Sequence, residues 1–353
     1  LPAKIPGRPW ESGGKQSVAL TPWKEPLRMF RILEIGLDGL VTTHDDATRI
    51  IPPPEGAFCW IDLSAQDEPQ LEVLRRGFNF HPLAIEDCAH FDQRPKVEEY
   101  EDYLFIVTQG FVCEGATIEN LKVLELHTFL GRNFLVTVHD EGIEALDTVW
   151  KRAVMDAAVL KRGVDFVYYL IADRMVDGNF PILDLVTEDL ELLEEEVLSN
   201  PQRRNLSRIF ELKHQLVSMR KVLSPQRDVL GALTKLDHPH VSERTLHYFR
   251  DVYDHLMRIT ESIEANRDLL GNALDAYLSS VSQRTNEIMK YLTIMSAVFL
   301  PLAFVVGFFG QNFQNMIGIR DWMHSDSLMW GMVIMCVTIP VVMIIWFKRK
   351  GWV

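Results

Sequence analysis

From Tyr291 to Phe309 the chain carries no charged residue for 19 positions, and from Ser327 to Phe347 none for 21. Each run is close to the roughly 20 residues a helix needs to cross a hydrocarbon core about 30 Å thick. Soluble domains seldom hold helices that are apolar on every face. Two such runs, adjacent and C-terminal, therefore predict two transmembrane helices, about 289–309 and 327–347, joined by a short external loop, 310–326. The segment 348–353 opens with Lys348, Arg349 and Lys350, the kind of cluster retained on the cytoplasmic side of a membrane. With two crossings, both termini are then cytoplasmic, and Lys290 just before the first crossing agrees. The expectation is a multi-pass protein of the cell (inner) membrane whose immediate partner is the lipid bilayer.

Charge and motif content narrow the chemistry. The net charge of −13 leaves no basic stripe for phosphate, so nucleic acid is excluded as a partner and cations are the better company. Cys59, Cys88, Cys113 and Cys336 lack a paired metal or redox spacing and read as packing residues in a reducing compartment. No phosphate-binding loop and no nucleophile with a placed base are present, so neither an enzyme activity nor an organic cofactor is expected. The opening "LPAKIPGRPWESGGKQ" is rich in Pro and Gly, and 1–29 reads as a disordered tail.

The fold class expected is α+β. From Phe30 onward, "FRILEIGL", "AFCWIDL", "YLFIVTQGFV", "LKVLELHTFL" and "FLVTVHD" are short β-branched or aromatic runs that read as strands, with "GRN" at 131–133 as a hairpin. "LEVLRRGF" and "HPLAIEDCA" interrupt them with helical spacing, giving a mixed-sheet cytoplasmic domain over 30–160. Helices follow: Ile143 to Met155, a long one from near Val164 to Pro201, and another from Arg203 to Val222 whose continuation after Pro225 is left open, so that 161–240 reads as a set of antiparallel cytoplasmic helices.

Between Pro239 and Pro301 stands one glycine, Gly271, and no proline, so nothing forces a break. Positions 246, 249, 253, 256, 260, 263, 267, 270, 274, 277, 281, 284, 288 and 291 alternate steps of three and four and form a heptad seam. At 1.5 Å per residue a helix over 241–309 is on the order of 100 Å long, so it leaves the cytoplasmic domain and becomes the first crossing. Two crossings do not enclose a polar pore alone. If this helix lines a water path, several copies surround it, which predicts a homo-oligomer.

That helix ends in Gly310, Gln311 and Asn312. A helix C-terminus presents unpaired carbonyls and about half a negative charge, and a ring of such ends at the outer mouth makes a cation site. Glycine permits the backbone that exposes the carbonyls, and Asn312 adds a side-chain oxygen. Neutral oxygens suit Mg²⁺, which sheds water reluctantly. Gly followed by Asn is also how an ordinary helix cap reads; the order of residues along the crossing favours the pore. Pro301 frees a carbonyl within the span, Asn286 offers an inner polar ring, and Met289, Leu292 and Leu300 between them offer apolar rings able to gate by dewetting.

With these residues in view, "HPLAIEDCAHFDQRPKVEEYEDYLFIV", "FRDVYDHLMRI", "LDAYLSSVSQRTNEIMKYLTI", "FLPLAFVVGFFGQNF" and the ending "FKRKGWV" resemble the CorA family of magnesium and cobalt channels, whose first membrane helix ends in Gly-Met-Asn. The resemblance runs from about Phe30 to the end. It implies a funnel-shaped homopentamer, with Mg²⁺ both transported and regulatory. By the same resemblance Gly310 and Asn312 form the outer ion site, Asn286 the inner ring, and Met289, Leu292 and Leu300 the constriction. It further implies regulatory divalent sites between subunits at Glu86, Asp87, Asp173 and Asp251, with Asp275 a further candidate. Such acids repel across an interface until a divalent ion bridges them.

Three departures bear on the ion. Gln311 stands where the family has Met, "QNMIGI" replaces the usual Met-Pro-Glu run, and Ala303 stands where many members carry a threonine. Related zinc transporters keep Gly and Asn and vary the middle residue. The readings are therefore a passive Mg²⁺, Co²⁺ and Ni²⁺ channel gated by internal divalent ions, a zinc-type and proton-coupled carrier on the same scaffold, and a non-conducting membrane-anchored ion sensor.

Overall fold

A computed structural model describes residues 30–45, 49–64, 68–113, 121–140, 142–235, 239–309 and 326–352. The expected tail (1–29) and most of the expected external loop, with Gly310, Gln311 and Asn312, lie outside the described residues.

Seven strands form one sheet: β1 (Phe30–Ile35), β2 (Val41–His44), β3 (Phe58–Ser64), β4 (Lys96–Glu99), β5 (Tyr103–Cys113), β6 (Leu121–Gly131) and β7 (Phe134–His139). Their order is β2-β1-β3-β7-β6-β5-β4, and of the neighbouring pairs β3 with β7 is parallel while the others are antiparallel. The sheet is thus mixed, as the α+β expectation requires. Two helices, α1 (Glu68–Phe78) and α2 (Pro82–Ala89), follow β3; α3 (Glu144–Met155), α4 (Ala157–Lys161) and α5 (Val164–Asp177) follow β7.

Strand alternation builds two cores. On one face Cys59, Ile61 and Leu63 of β3, Phe105 and Val107 of β5, Phe129 of β6 and Val136 and Val138 of β7 cluster with Leu74 of α1 and Ala84, Ile85 and Cys88 of α2. On the other face α5 packs across β3, β5, β6 and β7. There Trp60 meets Trp150 at 4.8 Å between ring centroids and donates to Thr137 Oγ1 at 3.1 Å. Asp62, buried beside Trp60, accepts from Arg31 at 2.8 Å and lies 3.4 Å from His139. Burial alone raises its carboxyl; His139, Arg31 and the Thr137 hydroxyl overcome that and hold it at about 2.

The expected single helix from Val164 to Pro201 is instead two, α5 and α6 (Asn179–Ser199). Gly178 closes α5 onto the Arg174 carbonyl, and the fully buried Asn179 donates its amide to the carbonyls of Met175 and Val176, both at 2.9 Å. A side chain that takes over these carbonyls ends a helix whose apolar pattern runs on. Of the two outcomes left open at Pro225, the structure shows continuation: α7 (Arg203–Lys235) runs through it for 33 residues.

Helix α8 (Glu243–Phe309) is continuous for 67 residues with Pro301 inside it, and α9 (Asp326–Arg349) is the C-terminal apolar helix. In the first half of α8 the buried residues are Thr245, Phe249, Val252, Leu256, Ile259, Thr260, Ile263, Asn266, Leu270, Ala273 and Tyr277. Six of the fourteen expected seam positions (249, 256, 260, 263, 270 and 277) are among them. At 246, 253, 267 and 274 the buried position is one residue earlier, at Thr245, Val252, Asn266 and Ala273, and the last four seam positions, 281, 284, 288 and 291, are exposed. Beyond Tyr277 the described side chains of α8 are exposed or part-exposed, save Val305. The most apolar 18-residue window of α8, like that of α9, is only 6% buried, whereas a core helix would be mostly covered.

The chain divides into two compact units, Leu1–Glu191 with Phe210–Leu270, and Leu192–Ile209 with Gly271–Val353. The sheet, α1 to α5 and the N-terminal part of α8 belong to the first. The apolar C-terminal end of α8 and all of α9 belong to the second.

Candidate ion-binding sites

The start of α8 is fixed by chemistry at its first turn. Ser242 caps it, its hydroxyl accepting from the Thr245 N–H at 3.4 Å, and Asp165 of α5 accepts from Ser242 N at 2.9 Å and from its hydroxyl at 2.7 Å. Further along, Asp177 meets His255 and Asn266 donates to Thr187 at 2.8 Å. These contacts join residues 77, 78 and 79 positions apart. A nearly constant offset means that α5 and the start of α6 run parallel to α8 in register.

That register assembles a site from two helix-face pairs. Asp173 and Asp177 are four apart on α5, and Asp251 and His255 are four apart on α8, so each pair shares a face. His255 Nδ1 lies 2.8 Å from Asp177 Oδ1 and its Nε2 lies 3.8 Å from Asp251 Oδ2. One ligand atom from each of Asp173, Asp177 and His255 falls within 4.8 Å of the others. Asp173 is half-buried, and its carboxyl is raised first by burial and then by Asp177, with Asp251 adding to it. The same acids, after burial, push the nearby Tyr169 phenol up to about 12. Carboxylates held this close gain from a shared cation. Two oxygens and an imidazole suit Co²⁺ or Ni²⁺ as well as harder ions.

Of the expected regulatory acids, the structure brings Asp173 and Asp251 together and adds Asp177 and His255, which the sequence reading passed over. The signal was available: "DRMVD" and "DVYDH" each repeat a ligand type at a spacing of four. Glu86 and Asp87 stand elsewhere, on α2. This helix begins with Pro82 in its first turn and His81 Nδ1 accepting from Leu83 N at 3.3 Å. It buries Ala84, Ile85 and Cys88, which turns Glu86 to solvent and leaves Asp87 at the margin. Asp87 Oδ2 accepts from Lys96 Nζ of β4 at 2.7 Å. Burial opposes the charge on Lys96, yet its bonds to Asp87 and Glu98 leave it raised. Asp275 is exposed on α8.

The expected pore residues lie on the exposed stretch of α8 beyond Tyr277. Met289, Leu292 and Leu300 are 55, 56 and 73% exposed, which is what side chains facing lipid or other copies show in one chain. At roughly 100° per residue, Asn286, Met289 and Leu300 fall within about 60° of one another, with Leu292 about 60° further round. Asn286 also lines a shallow polar groove with Ser279, Ser282, Gln283, Glu287 and Lys290.

Residues 55–349 match the family model described as CorA-like Mg2+ transporter protein. The cobalt/magnesium transport protein CorA of Thermotoga maritima is 37% identical over 299 residues, 83% of either chain. The zinc transport protein ZntB of Yersinia pseudotuberculosis is 20% identical, covering 90% of this chain and 93% of its own. Among solved structures, the CorA magnesium transporter of Methanocaldococcus jannaschii shares the fold, with a TM-score of 0.78 at 23% identity over 92% of this chain and 99% of its own.

Proposed function

Because the chain belongs to the CorA-like Mg²⁺ transporter family, whose members are transporters and not enzymes, we propose that it conducts divalent cations, Mg²⁺ with Co²⁺ and Ni²⁺, passively across the cell membrane as a homopentamer. The two exposed apolar helices are its crossings, with both termini cytoplasmic. Gly310, Gln311 and Asn312 form the outer ion site, Asn286 the inner polar ring, and Met289, Leu292 and Leu300 the hydrophobic gate. Inward movement follows the membrane potential, worth about 4.6 kcal/mol for a divalent ion at 100 mV.

The observation that carries this reading is the continuity of α8. One helix, Glu243–Phe309, bears Asp251 and His255 near its start and the pore residues near its end. Internal divalent ions bind among Asp173, Asp177, Asp251 and His255, and at Glu86 and Asp87, with Asp275 a weaker contributor. Bound ions relieve the repulsion between these acids and hold the ring closed. Ion loss restores the repulsion and releases the gate.

Gln311 in the middle of the Gly-x-Asn motif and the ZntB relative favour one competing reading, a zinc carrier coupled to protons. Uptake of Mg²⁺, Co²⁺, Ni²⁺ and Zn²⁺ into proteoliposomes at two external pH values separates them. The channel predicts Mg²⁺ flux at both pH values that Asn312→Ala abolishes. Zinc flux that tracks the proton gradient would replace it with the carrier, and absence of any flux would leave an ion sensor.

A further inference from the structure

Asp87 already holds a cation of the chain's own. Lys96 Nζ lies 2.7 Å from Asp87 Oδ2 and 2.7 Å from Glu98 Oε1. Lys96 and Glu98 are two apart on β4, so their side chains leave the same face of the strand, and α2 delivers Asp87 to that face. The ammonium is 5.6 Å from the centroid of the Phe105 ring, on the strand paired with β4. Glu98 is itself fixed, its second oxygen accepting from the Tyr100 hydroxyl at 3.0 Å. The Asp87 and Lys96 side chains are 22 and 31% exposed, so solvent screens their contact less than it would a surface pair.

We propose that the Lys96 ammonium is a tethered stand-in for a divalent ion at Asp87, which an arriving ion must displace, so that Lys96 sets the concentration at which this site fills. The inference rests on the reading of Asp87 as a regulatory ligand. Three charged groups meet here, two carboxylates and one ammonium, so an unbalanced negative charge remains to attract a cation. Glu98 gives the displaced ammonium somewhere to stay, so the exchange breaks one charge-assisted hydrogen bond instead of two. The swap is therefore reversible and its midpoint is high. An Asp87 without this competitor would bind divalent ions more tightly and stay filled over a wider range of internal concentration.

The test titrates Mg²⁺, and separately Co²⁺, into the full-length protein in nanodiscs and reads protection of the cytoplasmic domain from limited proteolysis. Lys96→Met is expected to lower the half-protecting concentration about tenfold, the size of one charge-assisted hydrogen bond in a part-buried pair. Lys96→Arg keeps the charge and should stay within about threefold of the parent. Arg94→Gln removes an exposed charge two residues away without touching Asp87, and should stay within about twofold. Lys96→Gln serves as the neutral variant if the methionine fails to fold. Asp87→Asn should raise the midpoint. An unchanged or raised midpoint in the neutral Lys96 variants, with Asp87→Asn still effective, would overturn the stand-in role and leave the regulatory reading intact. An equal shift in Arg94→Gln would reduce the effect to general electrostatics and also overturn it. No effect of Asp87→Asn would remove the regulatory reading itself.

Discussion

Replacing Asp177 by Asn keeps the size and hydrogen-bonding reach of the side chain and removes one charge from the cluster with Asp173 and His255. Unit charges 4 Å apart interact by about 1 kcal/mol in water and about 4 kcal/mol at an effective dielectric of 20. The Asp177 side chain is 47% exposed while Asp173 is half-buried, so the environment lies between these limits. A loss of about 2 kcal/mol of ion binding follows, roughly 30-fold in Kd. The assay is calorimetric titration of Co²⁺ into the full-length protein in detergent. His255→Leu should weaken Co²⁺ more than Mg²⁺, because an imidazole is a better ligand for the former. Unchanged Co²⁺ affinity in Asp177→Asn would refute the assignment of this cluster as an ion site. An equal loss for both ions in His255→Leu would refute the role given to the imidazole.

Three further outcomes are expected. Since Asp62 sits at about 2 when folded, below the ~3.9 of an unfolded aspartate, its stabilisation is full above about pH 4 and disappears as pH falls toward 2; near-UV circular dichroism should show Asp62→Asn costing about 2–3 kcal/mol at pH 7 and progressively less below pH 4. A Cβ on Gly77 would lie 2.3 Å from the Ile50 carbonyl oxygen, so Gly77→Ala should lower the thermal midpoint by several degrees, about 2 kcal/mol or more, and an unaltered midpoint would show that the backbone there gives way. Leu300→Asn places a polar ring in the proposed apolar constriction and should raise Mg²⁺ leak in the presence of internal Mg²⁺; a leak equal to the parent's would remove Leu300 from the gate.

The parts of the fold legible in the sequence are those whose burial is one-sided or complete. Strands β3, β5, β6 and β7 are buried along most of their length, and their apolar density marked them. β2 and β4, "VTTH" and "KVEE", lie at the two edges of the sheet, where polar side chains face water and leave no apolar signal. The break at Gly178 was hidden because Asn179 acts through its own side chain and not through the apolar pattern. The seam of α8 matches the buried face at six of its fourteen positions; a three-and-four spacing does not distinguish Asn266, 4% exposed with its bond to Thr187, from the neighbouring Arg267. Asp173 and Asp251 were reached by resemblance to relatives. Asp177 and His255 stand four residues from Asp173 and Asp251, a spacing the sequence shows, but the meeting of the two pairs depends on the parallel register of α5 and α8, a long-range relation that local spacing does not contain.

The central claim is that internal divalent ions close a conducting pore, and recording from the protein in a planar bilayer tests it most directly. With Mg²⁺ on the external side and the internal side chelated, the account predicts an inward Mg²⁺ current driven by voltage, which falls as internal Mg²⁺ is raised, and which Asp251→Asn makes less sensitive. A flux that ignores internal Mg²⁺ and instead scales with the proton gradient would contradict it.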